Sequence, residues 1–172
     1  MNRKERRPEG AVLFGSLASH PAVKRMIASC RRIGAPSPEI FTQHDDGTGK
    51  PRYFDVISAR LWCDAHKPIE ALDMDFDTVR ELVSSGRIDP VHLARQRFDQ
   101  EVAPVIFLRR ATAGGGLLLD GAHRYVAFAH ELMAKGLEST VNVVPAYLLE
   151  PVEWEKFILP AAVARACGLT SS

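Results

Sequence analysis

The sequence predicts an α+β fold, a small mixed sheet with helices packed on it. Three observations predict it. Ala122, Tyr125, Val126, Ala129, Leu132 and Met133 fall on one stripe at helical spacing. Pro104 to Leu108 and Leu117 to Leu119 are short apolar runs that read as buried strands. Clusters of Gly, Pro and Asp punctuate the chain between such segments.

Taken in order, His20-Pro21 opens a first helix with proline at its first position, and Gly34 closes it. Glu39 to His44 and Arg52 to Ser58 read as two strands, joined through the turn-forming residues 45 to 51 as a hairpin. Asp73 to Gly86 reads as a helix capped by Asp75 or Asp77, with Phe76, Val79, Leu82 and Val83 on one face. Asp89-Pro90 starts another helix, to about Phe98. After the strand ending at Leu108, Ala113 to Gly116 turns the chain into Leu117-Leu119. The striped helix follows and stops at Lys135-Gly136. Val141 to Leu149 is a strand whose Pro145 predicts an edge or a bulge. Glu150-Pro151 begins a C-terminal helix, and Pro160 divides it from a second. This gives an N-terminal helix and hairpin extension over 1–51, a central domain over 52–150 and a helical tail over 151–172.

Composition narrows the class. A chain of 172 residues suits one compact domain with modest extensions, large enough for a core without disulfides or metal. A net charge of +1 removes any global electrostatic case for nucleic acid, leaving weak, non-specific DNA contact as the expectation. Three scattered cysteines, Cys30, Cys63 and Cys167, argue against a disulfide framework and for a reducing cytoplasm. No run approaches the roughly 18 apolar residues of a membrane helix, and the basic start Met1 to Arg7 reads as a solvated terminus rather than a leader.

The segment that carries chemistry is strand Leu117-Leu119, turn Asp120-Gly121 and the helix from Ala122. The first amides of a helix lack partners inside it and lie at the positive end of its dipole, so they suit an anion. Gly121 permits close backbone approach. Arg124 adds a forked, permanent cation that matches phosphate oxygens. His123, off the apolar stripe, can donate a hydrogen bond or move a proton. Asp120 can hold Mg²⁺, orient His123 or cap the helix. The plain alternative is a capped strand-to-helix connection with solvated polar residues.

Leu117-Leu118-Leu119-Asp120-Gly121-Ala122-His123-Arg124-Tyr125-Val126-Ala127 resembles the signature of the ParB/sulfiredoxin superfamily, a strand followed by a glycine-x-(His or Arg)-Arg turn into a helix. The resemblance covers about Arg52 to Glu150. It implies a ParB/sulfiredoxin-like sheet and a nucleotide, ATP or CTP, with its phosphates on Gly121, Ala122, His123 and Arg124. It also implies phosphoryl-bond chemistry, hydrolysis or transfer, involving Asp120, His123 and Arg124. Sulfiredoxins place a catalytic cysteine where this chain has Ala122, which removes sulfinic acid repair. Partition proteins carry a second arginine in place of His123, an upstream proline-arginine motif and a helix-turn-helix domain. Lys67 is a loose counterpart at most, and residues 150–172 are too few for that domain. Nucleotide binding with phosphoryl chemistry leads; a DNA nuclease and a non-catalytic interaction or regulatory module are the alternatives.

Other candidates are weaker. Cys63 and His66 form half a zinc pattern without a second pair. Asp73, Asp75 and Asp77 alternate as in a calcium loop, but Thr78 stands where glycine is needed. His44-Asp45-Asp46 reads as a solvated turn. Arg109-Arg110 reads as a strand edge, with a nucleic-acid backbone as the alternative. Arg80 reads as surface, His92 and His130 as surface histidines, and Trp62 and Trp154 as core or interface anchors.

Overall fold

The structure is a computed structural model that describes residues 14–44, 47–96, 103–110 and 115–168. Among these the chain is α+β, with seven α-helices and two small sheets. None of these helices is long and apolar enough to cross a membrane. The chain divides into two compact units, residues 66–153 and residues 1–65 with 154–172.

The unit formed by both chain ends starts with a 3-10 turn, Gly15–Ser19, and helix α1, Pro21–Ile33. The His20 side chain accepts from the Ala22 amide, and Gly34 ends α1 in the left-handed region at φ 68°, as the stop signal predicts. Strands β1, Ile40–Gln43, and β2, Arg52–Asp55, form the expected antiparallel hairpin, with Phe41 opposite Phe54. Positions 45 and 46 of its turn lie outside the described residues.

The second strand is shorter than the sequence suggested. After Asp55 the chain enters helix α2, Val56–His66. Val56 and Ile57 are β-branched and read as strand, but the Asp55 carboxylate accepts the Ser58 amide at 3.1 Å and caps a helix there. Strand β7, Ile158–Leu159, which sequence reasoning took for helix, pairs with the far side of β2. It lies between a short helix with its following 3-10 turn and helix α7, Ala161–Ala166. The residues expected to form an N-terminal extension and a C-terminal tail therefore share one sheet. Phe14, Val23, Met26, Tyr53, Leu159, Val163 and Ala164 build one core beneath it.

The second unit holds the sheet order β3-β6-β4-β5. Its strands are β3, Glu70–Asp73, β4, Val105–Arg109, β5, Gly116–Asp120, and β6, Val143–Leu149. Helix α3, Phe76–Ser84, begins at the Asp75 cap, and Asp73 lies in β3 rather than at the helix start. Helix α4, Pro90–Ala94, ends short of the expected Phe98, a position outside the described residues. Helix α5, Ala122–Ala134, and helix α6, Pro151–Trp154, complete the count. Val79 and Leu82 of α3 and Tyr125, Val126 and Ala129 of α5 pack on Val105, Leu118, Val144, Ala146 and Leu148.

The structure departs from the sequence pattern at three positions, Pro145, Val83 and Met133. β6 is an interior strand, antiparallel to β3 and parallel to β4, despite Pro145. The proline lies opposite Ala71 in the pairing with β3 and one residue before the first parallel pairing, Ala146 with Val105. Val83 and Met133, placed on apolar faces from spacing, are 51% and 53% exposed, because each stripe is narrower than its sequence pattern.

Tyr125 ties α5 to the start of α3. Its buried hydroxyl accepts the Asp75 amide at 2.8 Å. Replacing Tyr125 with Phe removes that acceptor and should cost about 1 kcal/mol, the net worth of one such bond. Urea denaturation measures it, and an unchanged midpoint would mean that water replaces the hydroxyl without loss.

Candidate functional site

The turn follows from the pairing of β4 and β5. The two strands run antiparallel, with Leu118 opposite Phe107 and Asp120 opposite Ile106, and a register shift between Ile106 and Phe107. Asp120 ends β5, Gly121 takes φ 91° and ψ 20°, and α5 starts at Ala122. No side chain caps α5, and its first turn carries no acid. The positive end of the dipole of this 13-residue helix is thus not offset by a side chain of its own first turn.

Gly121 is required for two reasons. Its φ lies in the region that side chains disfavour. A Cβ there would also stand 2.7 Å from Val105 Cγ1 and 2.8 Å from an Arg124 guanidinium nitrogen. The direction a side chain would take from this residue is therefore filled by the protein itself. The bare backbone expected for phosphate approach is on this side a packing surface.

Arg124 bends back over that glycine. Its guanidinium lies 3.6 Å from the Asp120 carboxylate and donates to the Pro104 carbonyl at 3.5 Å. Both side chains of the pair are mostly covered, 27% and 22% exposed, so their attraction is less screened than at an open surface. Asp120, Gly121 and Arg124 therefore gather on the side of the turn facing the start of β4.

His123 turns elsewhere. Its Nε2 accepts the Asp89 amide at 2.9 Å, and its ring stacks on that of His92 with centroids 4.3 Å apart and planes at 20°. An accepting imidazole nitrogen carries no proton, so the neutral ring keeps its hydrogen on Nδ1. Burial pushes the His123 pKa below its ordinary value. His92 and Arg87 add to that push and Asp89 opposes it. The expected donor is thus an acceptor at Nε2.

Sequence reasoning missed the partners of this turn. Arg87 donates to the Leu118 carbonyl at 2.9 Å, and burial lowers its pKa. The cap signal at Asp89 was legible, since its carboxylate accepts the Val91 and His92 amides, but its meeting with His123 was not. No local signal marks Pro104 or Val105 as the floor of the turn.

The remaining candidates are dispersed. Arg109 lies at the end of β4 away from Asp120 and pairs with Glu150 at 2.8 Å; Arg110 is exposed. Arg80 pairs with Asp77 on an exposed face of α3. Asp75 accepts from Asp77, Thr78 and the Thr78 hydroxyl, which holds its carboxyl below the usual range. Cys63 is fully buried in α2, and His44, His66 and His130 are exposed. Trp154 packs buried against Phe54, and Trp62 lies under the Lys156 ammonium.

No group of three or more histidine, cysteine or acidic side chains could hold a metal among the described residues. Asp120, the carboxylate at the turn, is ion-paired with Arg124, and that arrangement does not fit a Mg²⁺ site made by the chain alone. Fold and turn together define an α+β protein whose four-stranded sheet delivers a β-hairpin into a glycine-started helix. No family model, curated protein or solved structure matches the chain.

Proposed function

We propose that this protein binds a nucleotide by its phosphates at the Asp120–Arg124 turn, in the manner of the ParB/sulfiredoxin-like proteins its motif resembles. One observation carries the reading: α5 begins without a side-chain cap, and Arg124 stands in its first turn beside Gly121. Amides at the positive end of a helix and a forked cation within one turn are complementary to a phosphate. Phosphoryl-bond chemistry, hydrolysis or transfer, is the reaction class that goes with this reading. In it the amides of Ala122 and His123 hold phosphate oxygens and Arg124 stabilises their charge. Asp120, 3.6 Å from the Arg124 guanidinium, is the carboxylate that this reading assigns to proton transfer with the attacking group. His123 positions the turn through Asp89 and retains only its Nδ1 hydrogen for donation.

A second reading, a non-catalytic module whose turn is only structural, is favoured by the internal contacts of Arg124 with Asp120 and Pro104. Calorimetric titration with ATP, CTP and GTP, with and without Mg²⁺, separates the two. Wild-type protein should bind a nucleotide. Folded Arg124→Ala should lose about 1.5–3 kcal/mol of affinity, roughly 10- to 150-fold. Asp120→Asn should bind more tightly, because the carboxylate competes with phosphate for the same guanidinium. No binding by the wild type, or equal binding by Arg124→Ala, would leave the structural turn as the answer. Cleavage of plasmid DNA lost in Arg124→Ala would redirect the same anion site to a phosphodiester.

A further inference from the structure

We propose that the stacked His92–His123 pair is a proton-operated latch, which fastens α4 to the first turn of α5 at neutral pH and lets it go in mild acid. The proposal does not depend on nucleotide binding at the neighbouring turn. It rests on what His123 Nε2 does, which is to accept the backbone N–H of Asp89, the residue that caps α4. A proton placed on Nε2 turns that acceptor into a donor, and two donors then face each other across 2.9 Å. The bond cannot survive protonation without movement of Asp89 or of the ring.

The groups facing His123 act together on this equilibrium. From α4, the imidazole of His92 lies nearly parallel at 4.3 Å, and a charge on it disfavours one on His123. From the segment joining α3 to α4, Arg87 adds a positive charge, and the partial burial of the ring disfavours the ion further. The Asp89 carboxylate favours the ion, but it also accepts the Val91 and His92 amides as the cap of α4. The net direction keeps His123 neutral until the pH falls below the ordinary histidine range.

The element it holds is well suited to release. α4 is five residues long and contributes no fully buried side chain. Leu93 is its contact with the core that α5 shares, and it is only partly buried. Such an element lies at the low end of local stability, where one hydrogen bond and one ring stack decide its position.

A proton-linked opening follows from the linkage relation. The open form binds the proton better than the closed one, so its population should rise with acid by up to about tenfold per pH unit around the His123 midpoint. Nuclear magnetic resonance from pH 8 to pH 5 reads both sides at once: the ring signals of His92 and His123, and the exchange of the α4 amides corrected for intrinsic rates. His123 should titrate below the ordinary histidine value. The Asp89 amide should shift, and the Leu93 and Ala94 amides lose protection, with the same midpoint. His92→Ala should raise that midpoint, and His123→Asn should leave α4 protection flat across the range. Constant α4 protection while His123 titrates in the wild type would overturn the latch, whatever the variants do. So would an acid response that persists in folded His123→Asn.

Discussion

Replacing Gly121 with Ala should destabilise the protein by about 2–5 kcal/mol. The figure combines about 1–2 kcal/mol for a side chain held in the left-handed region with about 1–3 kcal/mol for overpacking. The two contributions are independent here. The φ of 91° is strained for any L side chain, and the new methyl would press on Val105 Cγ1 at 2.7 Å. Val105 is fully buried in β4 between β5 and β6 and cannot yield cheaply, whereas the Arg124 tip at 2.8 Å can swing away. Chemical denaturation should show a lower midpoint with an unchanged slope. A Gly121→Ala protein as stable as the wild type would mean that the turn relaxes without cost and that Val105 is not its floor. For the nucleotide reading, the effect of Gly121 variants on binding carries meaning only when measured on folded protein. Arg124 and Asp120 are the informative positions.

Asp55 should make stability depend on pH in the direction opposite to most carboxylates. It is fully buried, one oxygen accepts the Ser58 amide, and Oδ2 has no hydrogen-bond partner among the described residues. Burial pushes its pKa above the ordinary 3.8, against the pull of Ser58 and Arg25. The folded state therefore holds the proton to higher pH than the unfolded chain. Stability linked to this group is full below about 3.8 and is lost as pH rises through the folded pKa. Asp55→Asn keeps an acceptor for Ser58 and removes the charge. Its stability relative to wild type should improve as pH rises above about 4 and level off beyond the folded pKa, even if a buried amide lowers both ends of the curve. Asp55→Ala removes the cap of α2, and the about 0.5–2 kcal/mol that this costs near pH 4 should shrink as pH rises, because Ala removes the buried charge as well. Melting curves for the three proteins decide the matter. A wild-type-minus-Asn difference that does not vary with pH would show that Asp55 is not held protonated by burial.

What could be read from the chain was local. His20, Pro21 and Gly34 bound α1, Asp75 starts α3, Asp89-Pro90 starts α4, and a stripe from Tyr125 to Leu132 defines α5; all are signals within one or two turns of the residues they govern. What escaped depended on distant partners. β3 and β7 have four and two residues and acquire their identity from β6 and β2. Pro145 argued for an edge because nothing nearby in sequence shows β4 alongside. α2 is a different failure: Val56-Ile57 favoured strand, and Asp55 three residues before Ser58 was the unread capping signal. At the turn, residues 120 to 124 were legible as a strand-to-helix connection. The contacts that orient Arg124 and His123 come from Pro104, 20 residues away, and Asp89, 34 residues away.

The pairing of β7 with β2 has a consequence for biosynthesis. Tyr53 lies opposite Leu159, and every residue of the other unit is made between them. A ribosome releases the chain from its N-terminus, so β1 and β2 emerge with one flank of Phe54 and Tyr53 uncovered. They must wait while residues 66–153 are synthesised. The inserted unit holds its whole sheet within one continuous stretch and can finish while the first unit still lacks Leu159, Val163 and Ala164. Among the described strand pairings this one joins the residues farthest apart in sequence, and it comes last. The newborn chain therefore passes through an interval in which a two-stranded ribbon with an open apolar side is exposed to chaperones and to its neighbours on the polysome.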